Sequence, residues 1–341
     1  MTSAALRQIF GLLSSVVHEL YSCSNSAGSC NISFMKYSVL AYYAIKQIEN
    51  PQAEVARHKE FFSTRDFTGR IYISEQGING QSSGSTAHAQ EYMDWLRSDP
   101  RFSDVSFKIH PSSEHAFPKM TVKYRKQLVA IDCEVDFSQR GEHVPPKVWK
   151  EMLEHRSPET LLIDVRNDYE WKAGHFEGAE LPKLDQFRQF PEYAKQLKQQ
   201  CDPANTPVMM YCTGGIRCEY YSAVLKQEGF DKVYQLDGGV IQYGLDEGSD
   251  HWKGKLFVFD DRLVVPLSEK GETISSCSYC QVPNDVYYNC ANMDCNQLFF
   301  CCLDCLKAHK GCCSDACQTG RVRPFKESAK PFRKMSCDCS I

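Results

Sequence analysis

The sequence lacks a long hydrophobic run and lacks a strong net charge of either sign. Its longest apolar stretch near the N-terminus, residues 9–17, is too short to span a bilayer and is followed by His18 and Glu19. That charged pair also argues against a cleavable export signal. The net charge of −4 over 341 residues gives no global reason to expect a nucleic-acid partner. If the chain binds nucleic acid, it must do so through local patches of basic residues.

Sequence motifs for the common redox cofactors are missing as well. The chain has no flavin, nicotinamide or haem motif, and no pattern typical of an iron site with two histidines and one carboxylate. Its residue pattern alone therefore gives no indication of an oxygenase.

Cysteine, in contrast, is abundant and unevenly placed. Ten of the 18 cysteines lie between Cys277 and Cys317, after a long region in which they are sparse. Disulfide scaffolds are usually short and rich in cysteine throughout, so this pattern favours metal ligation in a reducing compartment. We therefore expect a cytoplasmic protein without a membrane segment.

The order of apolar segments divides the chain into five parts, and its length is enough for two or three compact units. We predict a disordered leader or non-native start over 1–34, an α+β domain over 35–140, an α/β domain over 146–252, a cysteine-rich module over 253–320 and a basic tail over 321–341.

The α+β domain has a predicted β-α-β-α-β-β order. A strand over 37–45 precedes a helix, a strand over 70–74, a Gly-rich turn and a second helix that Ser85 caps. Strands over 105–109 and 120–131 complete the pattern. This order indicates a small sandwich of the ferredoxin-like or acylphosphatase-like type.

The α/β domain is indicated by three continuous apolar runs over 161–165, 208–211 and 232–236. Such runs, separated by helical segments, are typical of buried parallel strands. We expect a parallel sheet flanked by helices.

The segment after the strand over 208–211 carries the strongest chemical signal. It consists of Cys212, the loop residues Thr213, Gly214, Gly215 and Ile216, and then Arg217, which opens a helix. Loop N–H groups and a helix N-terminus create positive potential, and together with Arg217 they stabilise a thiolate, the nucleophilic form. We expect a reactive Cys212 at an exposed loop mouth. The alternative is a buried structural cysteine.

The spacing in this loop argues against a phosphatase. Cysteine phosphatases of related architecture have five residues between the cysteine and the arginine, whereas four separate Cys212 from Arg217. The tighter loop better suits a single sulfur atom or a small anion.

Three segments around Cys212 carry a family signature: residues 162–179, 212–217 and 236–240. They resemble the first signature, the active loop and the closing turn of the rhodanese family. The resemblance implies that Cys212 carries a persulfide.

For other residues of the signature, a catalytic role and a purely structural role are both conceivable. Asp164 and Arg166 are expected to brace the loop rather than to perform chemistry. His175 is expected to be a packed turn residue rather than a base. Cys218 is expected to pack on its helix rather than to act as a resolving thiol.

Four blocks extend the signature beyond this domain: residues 69–80, 211–219, 257–262 and the cysteine cluster. In this order they resemble the bacterial tRNA uridine-34 hydroxylase family, from about Met35 to Cys317. The resemblance implies hydroxylation of the wobble uridine to 5-hydroxyuridine, with molecular oxygen as co-substrate and the anticodon region of tRNA as partner. The rivals are a rhodanese sulfurtransferase and a non-catalytic, rhodanese-fold RNA-binding adaptor.

Basic and aromatic side chains alternate in the α+β domain and suggest an RNA surface. The residues are Lys108, His110, Lys123, Tyr124, Arg125 and Lys126. Alternate strand positions share a face, so Lys108 and His110 would lie together, as would Tyr124 and Lys126. Such a face could contact phosphates and stack on bases. An ordinary solvated face is the alternative. The basic tail could likewise follow a phosphate backbone or simply be solvated.

The cysteine-rich module has too few aliphatic residues for a hydrophobic core of its own and needs cross-links to be stable. Two CxxC knuckles and two wider pairs could supply two tetrahedral thiolate sites, with zinc the expected metal. Structural cysteines and an iron–sulfur cluster are the alternatives. The expected ligands are Cys277, Cys280, Cys290, Cys295, Cys302, Cys305, Cys312 and Cys317.

Overall fold

The computed structural model describes residues 36–268 and 271–325. The expected leader over 1–34, the start at Met35 and most of the basic tail lie outside these residues. In the described part, no helix has the length and apolar composition needed to cross a membrane.

The secondary structure elements alternate along most of the described chain. The strands are β1 (Tyr37–Ile45), β2 (Phe67–Ser74), β3 (Gly77–Ser85), β4 (Lys108–Ser112), β5 (Met120–Tyr124), β6 (Glu142–Val144), β7 (Leu161–Asp164), β8 (Gly174–Phe176), β9 (Val208–Tyr211), β10 (Val233–Leu236), β11 (Trp252–Gly254), β12 (Leu256–Phe257), β13 (Val264–Val265), β14 (Tyr287–Asn289) and β15 (Leu298–Phe300). The helices are α1 (Pro51–Phe62), α2 (Thr86–Arg97), α3 (Pro146–Glu154), α4 (Asp168–Trp171), α5 (Phe190–Gln200), α6 (Ile216–Gln227), α7 (Gly239–Glu247) and α8 (Leu303–Ala308).

The first domain is a five-stranded sheet in the order β4-β1-β3-β2-β5. Its first four strands pair antiparallel, and β5 adds to the edge parallel to β2. Helices α1 and α2 bury aromatic side chains against the sheet, among them Phe61, Phe62 and Tyr92. The predicted ferredoxin-like arrangement is confirmed. So is the Ser85 cap, whose side chain accepts a hydrogen bond from the His88 amide.

Strand β3 was missed in the sequence, where its start was interpreted as a turn. Glycine and serine dominate β3, and both glycine and a mostly polar sequence are poor strand signals. The structure explains the glycines: a Cβ at Gly80 would lie 2.3 Å from the Tyr42 ring, and one at Gly84 would lie 2.7 Å from the Phe67 ring. The glycines therefore let aromatic rings lie across the strand.

Strand β5 ends at Tyr124 rather than at the predicted Ile131. The residues beyond it leave the first sheet because Leu128, Val129 and Ile131 are buried in the core of the second domain. The first domain thereby extends an apolar segment into its neighbour.

The second domain is a parallel sheet in the order β6-β10-β9-β7. Helices α5 and α6 contribute to the core on one side of it, and α3 and α7 contribute to a separate core. The predicted α/β fold is confirmed, with β7, β9 and β10 within one residue of their expected bounds.

The cysteine-rich module begins on the second domain. Strand β11 spans the predicted boundary at residue 253 and pairs antiparallel with β8. Farther along, the Tyr287 hydroxyl donates to the Tyr169 carbonyl, and Lys255 forms an ion pair with Asp285. The cysteines then occupy a hairpin, β14–β15, and the segments around α8.

Candidate active site

The loop after β9 is held in place by the start of α7. The amides of Val240 and Ile241 donate to the carbonyls of Cys212 and Thr213, both at 3.0 Å. A Cβ at Gly239 would lie 2.6–2.8 Å from backbone atoms of the loop, so only glycine permits this approach. The loop is therefore fixed by backbone contacts with the start of α7.

Cys212 lies at the end of β9 and is 1% exposed. The expectation of an exposed loop mouth was wrong: the thiol is buried in the wall of a cavity. The Gly215 amide donates to its Sγ at 3.1 Å. Burial raises the pKa of Cys212, but a hydrogen bond from the Cys218 side chain, the charge of Arg217 and loop amides lower it to about 5. The thiolate is therefore the dominant form at neutral pH.

Arg217 interacts with the carboxylate of Glu170 as well as with the thiolate of Cys212. Its Nη1 lies 2.5 Å from Glu170 Oε2, and its Nη2 lies 2.8 Å from Glu170 Oε1. The same Nη2 donates to Thr213 Oγ1 at 3.3 Å. Arg217 thus acts on Cys212 through its charge, while Glu170 fixes its guanidinium. In the sequence Glu170 stood out only as part of a signature.

Cys218 packs in the core of the second domain, as expected, and it also lies beside Cys212. It is fully buried, and burial together with the neighbouring Cys212 raises its pKa well above the usual range. Cys218 therefore remains a protonated thiol that can donate to the Cys212 thiolate.

Asp164 and Arg166 form a buried ion pair behind the site. Arg166 bonds both carboxylate oxygens of Asp164, at 2.8 and 2.5 Å, and donates to the Gly174 carbonyl at 2.6 Å. Its guanidinium lies 5.8 Å from the centre of the Tyr211 ring. These contacts brace the strand ends that lead to Cys212. His175 lies in strand β8 rather than in a turn and is half-buried, with a ring nitrogen 2.9 Å from the Trp171 carbonyl.

A cavity of about 550 Å³ opens in front of Cys212. Its volume lies within the range of typical small-ligand sites. Both domains contribute side chains, and the lining combines rings with cations. The aromatic residues are Tyr42, Tyr43, Tyr72, Tyr169, Phe187 and Phe259, and the basic residues are Arg70, Lys108, Arg188 and Arg217. Such a combination suits a nucleobase and its phosphates.

The predicted RNA surface on β5 does not coincide with this cavity. Among the described lining residues, none comes from 123–126. The Tyr124 hydroxyl donates to the Glu75 carboxylate at 3.2 Å, and the Arg125 guanidinium lies 5.0 Å from the centre of the Tyr72 ring. Sequence reasoning found a basic, aromatic strand but missed the cavity.

Lys108 also departs from its prediction. It was expected beside His110 on a sheet face that either contacts RNA or is merely solvated, but it is 4% exposed and donates to the Gly214 carbonyl of the second domain at 3.0 Å. This face of the first sheet is turned towards the loop of the second domain. Strand period alone could not show which face meets another domain.

The cysteines gather into two groups of four. The groups are Cys277, Cys280, Cys302 and Cys305, and Cys290, Cys295, Cys313 and Cys317. Within each, all Sγ atoms lie within 4.8 Å of one another. The Cys280–Cys302 and Cys295–Cys313 Sγ pairs are 3.7 Å apart, close to the edge of about 3.8 Å that follows from Zn–S bonds of about 2.3 Å in a tetrahedron. A disulfide would need about 2.05 Å.

One expected ligand was wrong: Cys313, not Cys312, belongs to the second group. Cys312 is 1% exposed and donates its thiol to the Cys317 carbonyl at 3.3 Å. Nearby, Arg321 pairs with Asp294, and Arg323 donates to the Cys290 carbonyl, so this part of the tail is tied to the module.

Replacing Cys218 with alanine is expected to raise the pKa of Cys212 by on the order of 1–2 units. The change removes a hydrogen bond to a charged group, worth roughly 1.5–3 kcal/mol. The rate of Cys212 alkylation against pH, followed by mass spectrometry of its peptide, measures the shift. Cys218→Ser keeps a donor and serves as the control. Equal pKa values in the wild type and the alanine variant would contradict the hydrogen bond.

Three family models match the chain in succession. They are the UPF0176 acylphosphatase like domain over residues 37–128, the Rhodanese-like domain over 146–244 and Rhodanase C-terminal over 253–318.

Curated relatives match nearly the whole chain. A protein of Protochlamydia amoebophila (strain UWE25) named tRNA uridine(34) hydroxylase is 57% identical over 302 residues, which are 87% of this chain and 94% of that protein. A protein of the same name from Chlamydia trachomatis serovar D is 54% identical over 304 residues, 87% of this chain and 92% of its own.

Two solved structures of rhodanese-like domains match over about a third of the chain. The rhodanese-like domain of an Anabaena protein is 21% identical, covers 33% of this chain and 78% of that chain, and has a TM-score of 0.28. A rhodanese-like domain protein from Staphylococcus aureus is 23% identical, covers 31% and 94%, and has a TM-score of 0.25.

Proposed function

The chain belongs to the tRNA uridine(34) hydroxylase family, and we propose that it hydroxylates uridine 34 of tRNA at C5, giving 5-hydroxyuridine. One observation carries the proposal to the level of residues: the Cys212 thiolate lies in the wall of a cavity lined by aromatic and cationic side chains. A wobble base turned out of the anticodon stack would enter this cavity, as flipped bases do in other enzymes that modify nucleobases.

Cys212 is the proposed nucleophile. Its Sγ would form a bond to C6 of the uracil ring, and the C5=C6 electron pair would move towards O4, making C5 electron-rich. Re-forming the C5=C6 bond with loss of the C5 proton would expel the thiolate. In the net reaction one oxygen atom of O₂ enters at C5. An external reductant supplies the two electrons, which with two protons convert the other oxygen atom to water.

The remaining residues of the loop would support this nucleophile. Arg217, fixed by Glu170, and the Gly215 amide would keep Cys212 ionised before substrate arrives. Tyr43 and Tyr72 would stack on the base, and Arg70 would contact a neighbouring phosphate of the anticodon loop. Asp164 and Arg166 would hold the strands that carry Cys212 in place.

The two cysteine groups would each hold one zinc ion with a structural role. Four thiolates in a closed tetrahedral set are typical of structural zinc. Bound zinc would cross-link the segments of a module that has few aliphatic residues in its core. The free thiols of the described chain also support a reducing compartment, and we propose the cytoplasm.

Deleting the gene is expected to remove 5-hydroxyuridine from tRNAs with uridine at position 34, and the purified protein should restore it in the presence of oxygen. Mass spectrometry of nucleosides measures the product, and a tRNA with cytidine 34 is the control substrate. Unchanged 5-hydroxyuridine in the deletion strain would contradict the proposal. Thiocyanate formation from thiosulfate and cyanide without any 5-hydroxyuridine would instead favour a sulfurtransferase.

A further inference from the structure

A buried lysine from the first domain reaches the active loop of the second. Lys108, the first residue of β4, is 4% exposed, and its Nζ donates to the Gly214 carbonyl at 3.0 Å. The ammonium also lies 5.2 Å from the centre of the Tyr43 ring. It lines the same cavity as Cys212. Burying an ammonium is costly, so its position calls for a reason beyond packing.

Within the described chain, the ammonium of Lys108 uses only part of its hydrogen-bonding capacity. An ammonium has three N–H donors, and the Gly214 carbonyl accepts one of them. The nearby carboxylate of Glu219 is already occupied, because Tyr43, Arg140 and His143 all bond to its oxygens at 2.8–2.9 Å. Donors therefore remain for an acceptor that enters the cavity.

We propose that Lys108 is a further catalytic residue, which donates a hydrogen bond to uracil O4 as Cys212 adds to C6. The inference rests on the proposed function and specifies one partner of its substrate. When Sγ bonds to C6, the C5=C6 pair shifts to C4–C5 and the carbonyl pair shifts onto O4. A cation already fixed beside the cavity stabilises this developing charge without reorganising.

The groups that face Lys108 keep its charge available near neutral pH. Burial lowers the pKa of Lys108, and the negative charges of Asp237, Cys212 and Glu219 oppose this effect only in part. The resulting pKa is about 8. Tyr43 faces it through its ring, and burial raises the pKa of that phenol far above neutrality, so Tyr43 stays uncharged. Lys108 is consequently protonated at pH 7 and loses its proton as the pH rises through about 8.

This placement gives the first domain a chemical role. The rhodanese-type loop supplies the thiolate and its amides, whereas the cation for the substrate oxygen comes from β4 of the other domain. The complete site exists only where the two domains meet.

The addition step can be tested apart from oxygen chemistry. Reversible addition of a thiolate to C6 lets the C5 hydrogen exchange with solvent, so tritium at C5 of uridine 34 is released without O₂. Lys108→Met is expected to slow this release about 10²–10³-fold, the usual effect of losing one donor to a developing oxyanion. Alkylation of Cys212 should persist, and tRNA affinity should change by less than about tenfold, because one hydrogen bond contributes roughly 0.5–1.5 kcal/mol. The matched control is Lys46→Met, which removes a half-exposed lysine paired with Asp104 and should exchange at the wild-type rate.

A second variant keeps the test decisive if Lys108→Met does not fold. Lys108→Arg retains the charge at all accessible pH values, so the loss of exchange expected of the wild type above a pH of about 8 should be absent in this variant. Wild-type rates in Lys108→Met, or an unchanged alkaline limb in Lys108→Arg, would overturn the role of Lys108 alone. A wild-type protein that releases no tritium would overturn the addition step and the role of Lys108 with it.

Discussion

Replacing Cys212 with serine is expected to abolish 5-hydroxyuridine formation, with a loss of at least about a thousandfold in single-turnover rate. The Cys212 pKa of about 5 makes the thiolate the resting form, whereas a serine hydroxyl stays protonated at neutral pH. The fold should survive because the side chains are similar in size and serine Oγ can still accept the Gly215 amide. Nucleoside mass spectrometry with purified protein measures the loss, and thermal unfolding checks the fold.

The matched control for this change is Cys201→Ser. Cys201 is half-buried at the end of α5, where its thiol donates to the Leu197 carbonyl at 3.2 Å, and a serine hydroxyl can make the same bond. Wild-type activity is expected. A Cys212→Ser protein that retained a tenth of the activity or more would contradict covalent catalysis by Cys212.

Removing metal is expected to unfold the cysteine-rich module while the rhodanese-type domain stays folded. The protein as purified should carry about two zinc ions per chain, one for each group of four ligands. Each such site contributes on the order of 10 kcal/mol of apparent folding free energy, and the buried core of the module has Leu306 as its only large aliphatic side chain among the described residues. A strong chelator should therefore make residues after about 274 sensitive to protease. Atomic emission and limited proteolysis measure the two effects.

Adjacent cysteines provide the control for the metal sites. Cys313→Ser should lower the zinc content to one ion or fewer, whereas Cys312→Ser should leave it at two because Cys312 lies outside both groups. The serine at 312 can still donate to the Cys317 carbonyl. Metal-free protein with an equally resistant C-terminal region would rule out zinc and leave packing to hold the module.

The elements predictable from the sequence were those with a local cause. Strand β9, the Cys212 loop and the Ser85 cap each follow from a short run of residues, and the structure has them at the expected positions. Strand β3 was not predictable because its glycines make room for rings from neighbouring strands, which the local sequence does not reveal.

The parts of the site that escaped prediction depend on distant contacts. Lys108 reaches Gly214 across 106 positions of sequence, and Glu170 reaches Arg217 across 47. Cys312 and Cys313 are neighbours with nearly the same spacing to Cys317, so spacing could not decide which thiol faces the other ligands. Backbone direction at that point decides it, and only the fold defines that direction.

The two cysteine groups interleave along the chain, and this order would determine when a metal ion could be taken up. The first group uses the first and third cysteine pairs, and the second uses the second and fourth. During synthesis neither ion can gain its full ligand set until Cys302 and Cys305 have left the ribosome, long after Cys277 has emerged. Closing the first group also draws together the segments on either side of Cys290 and Cys295, which shortens the loop that the second must close. If both groups bind zinc, its uptake would therefore come late in the synthesis of the chain, and the first ion would help to assemble the site of the second.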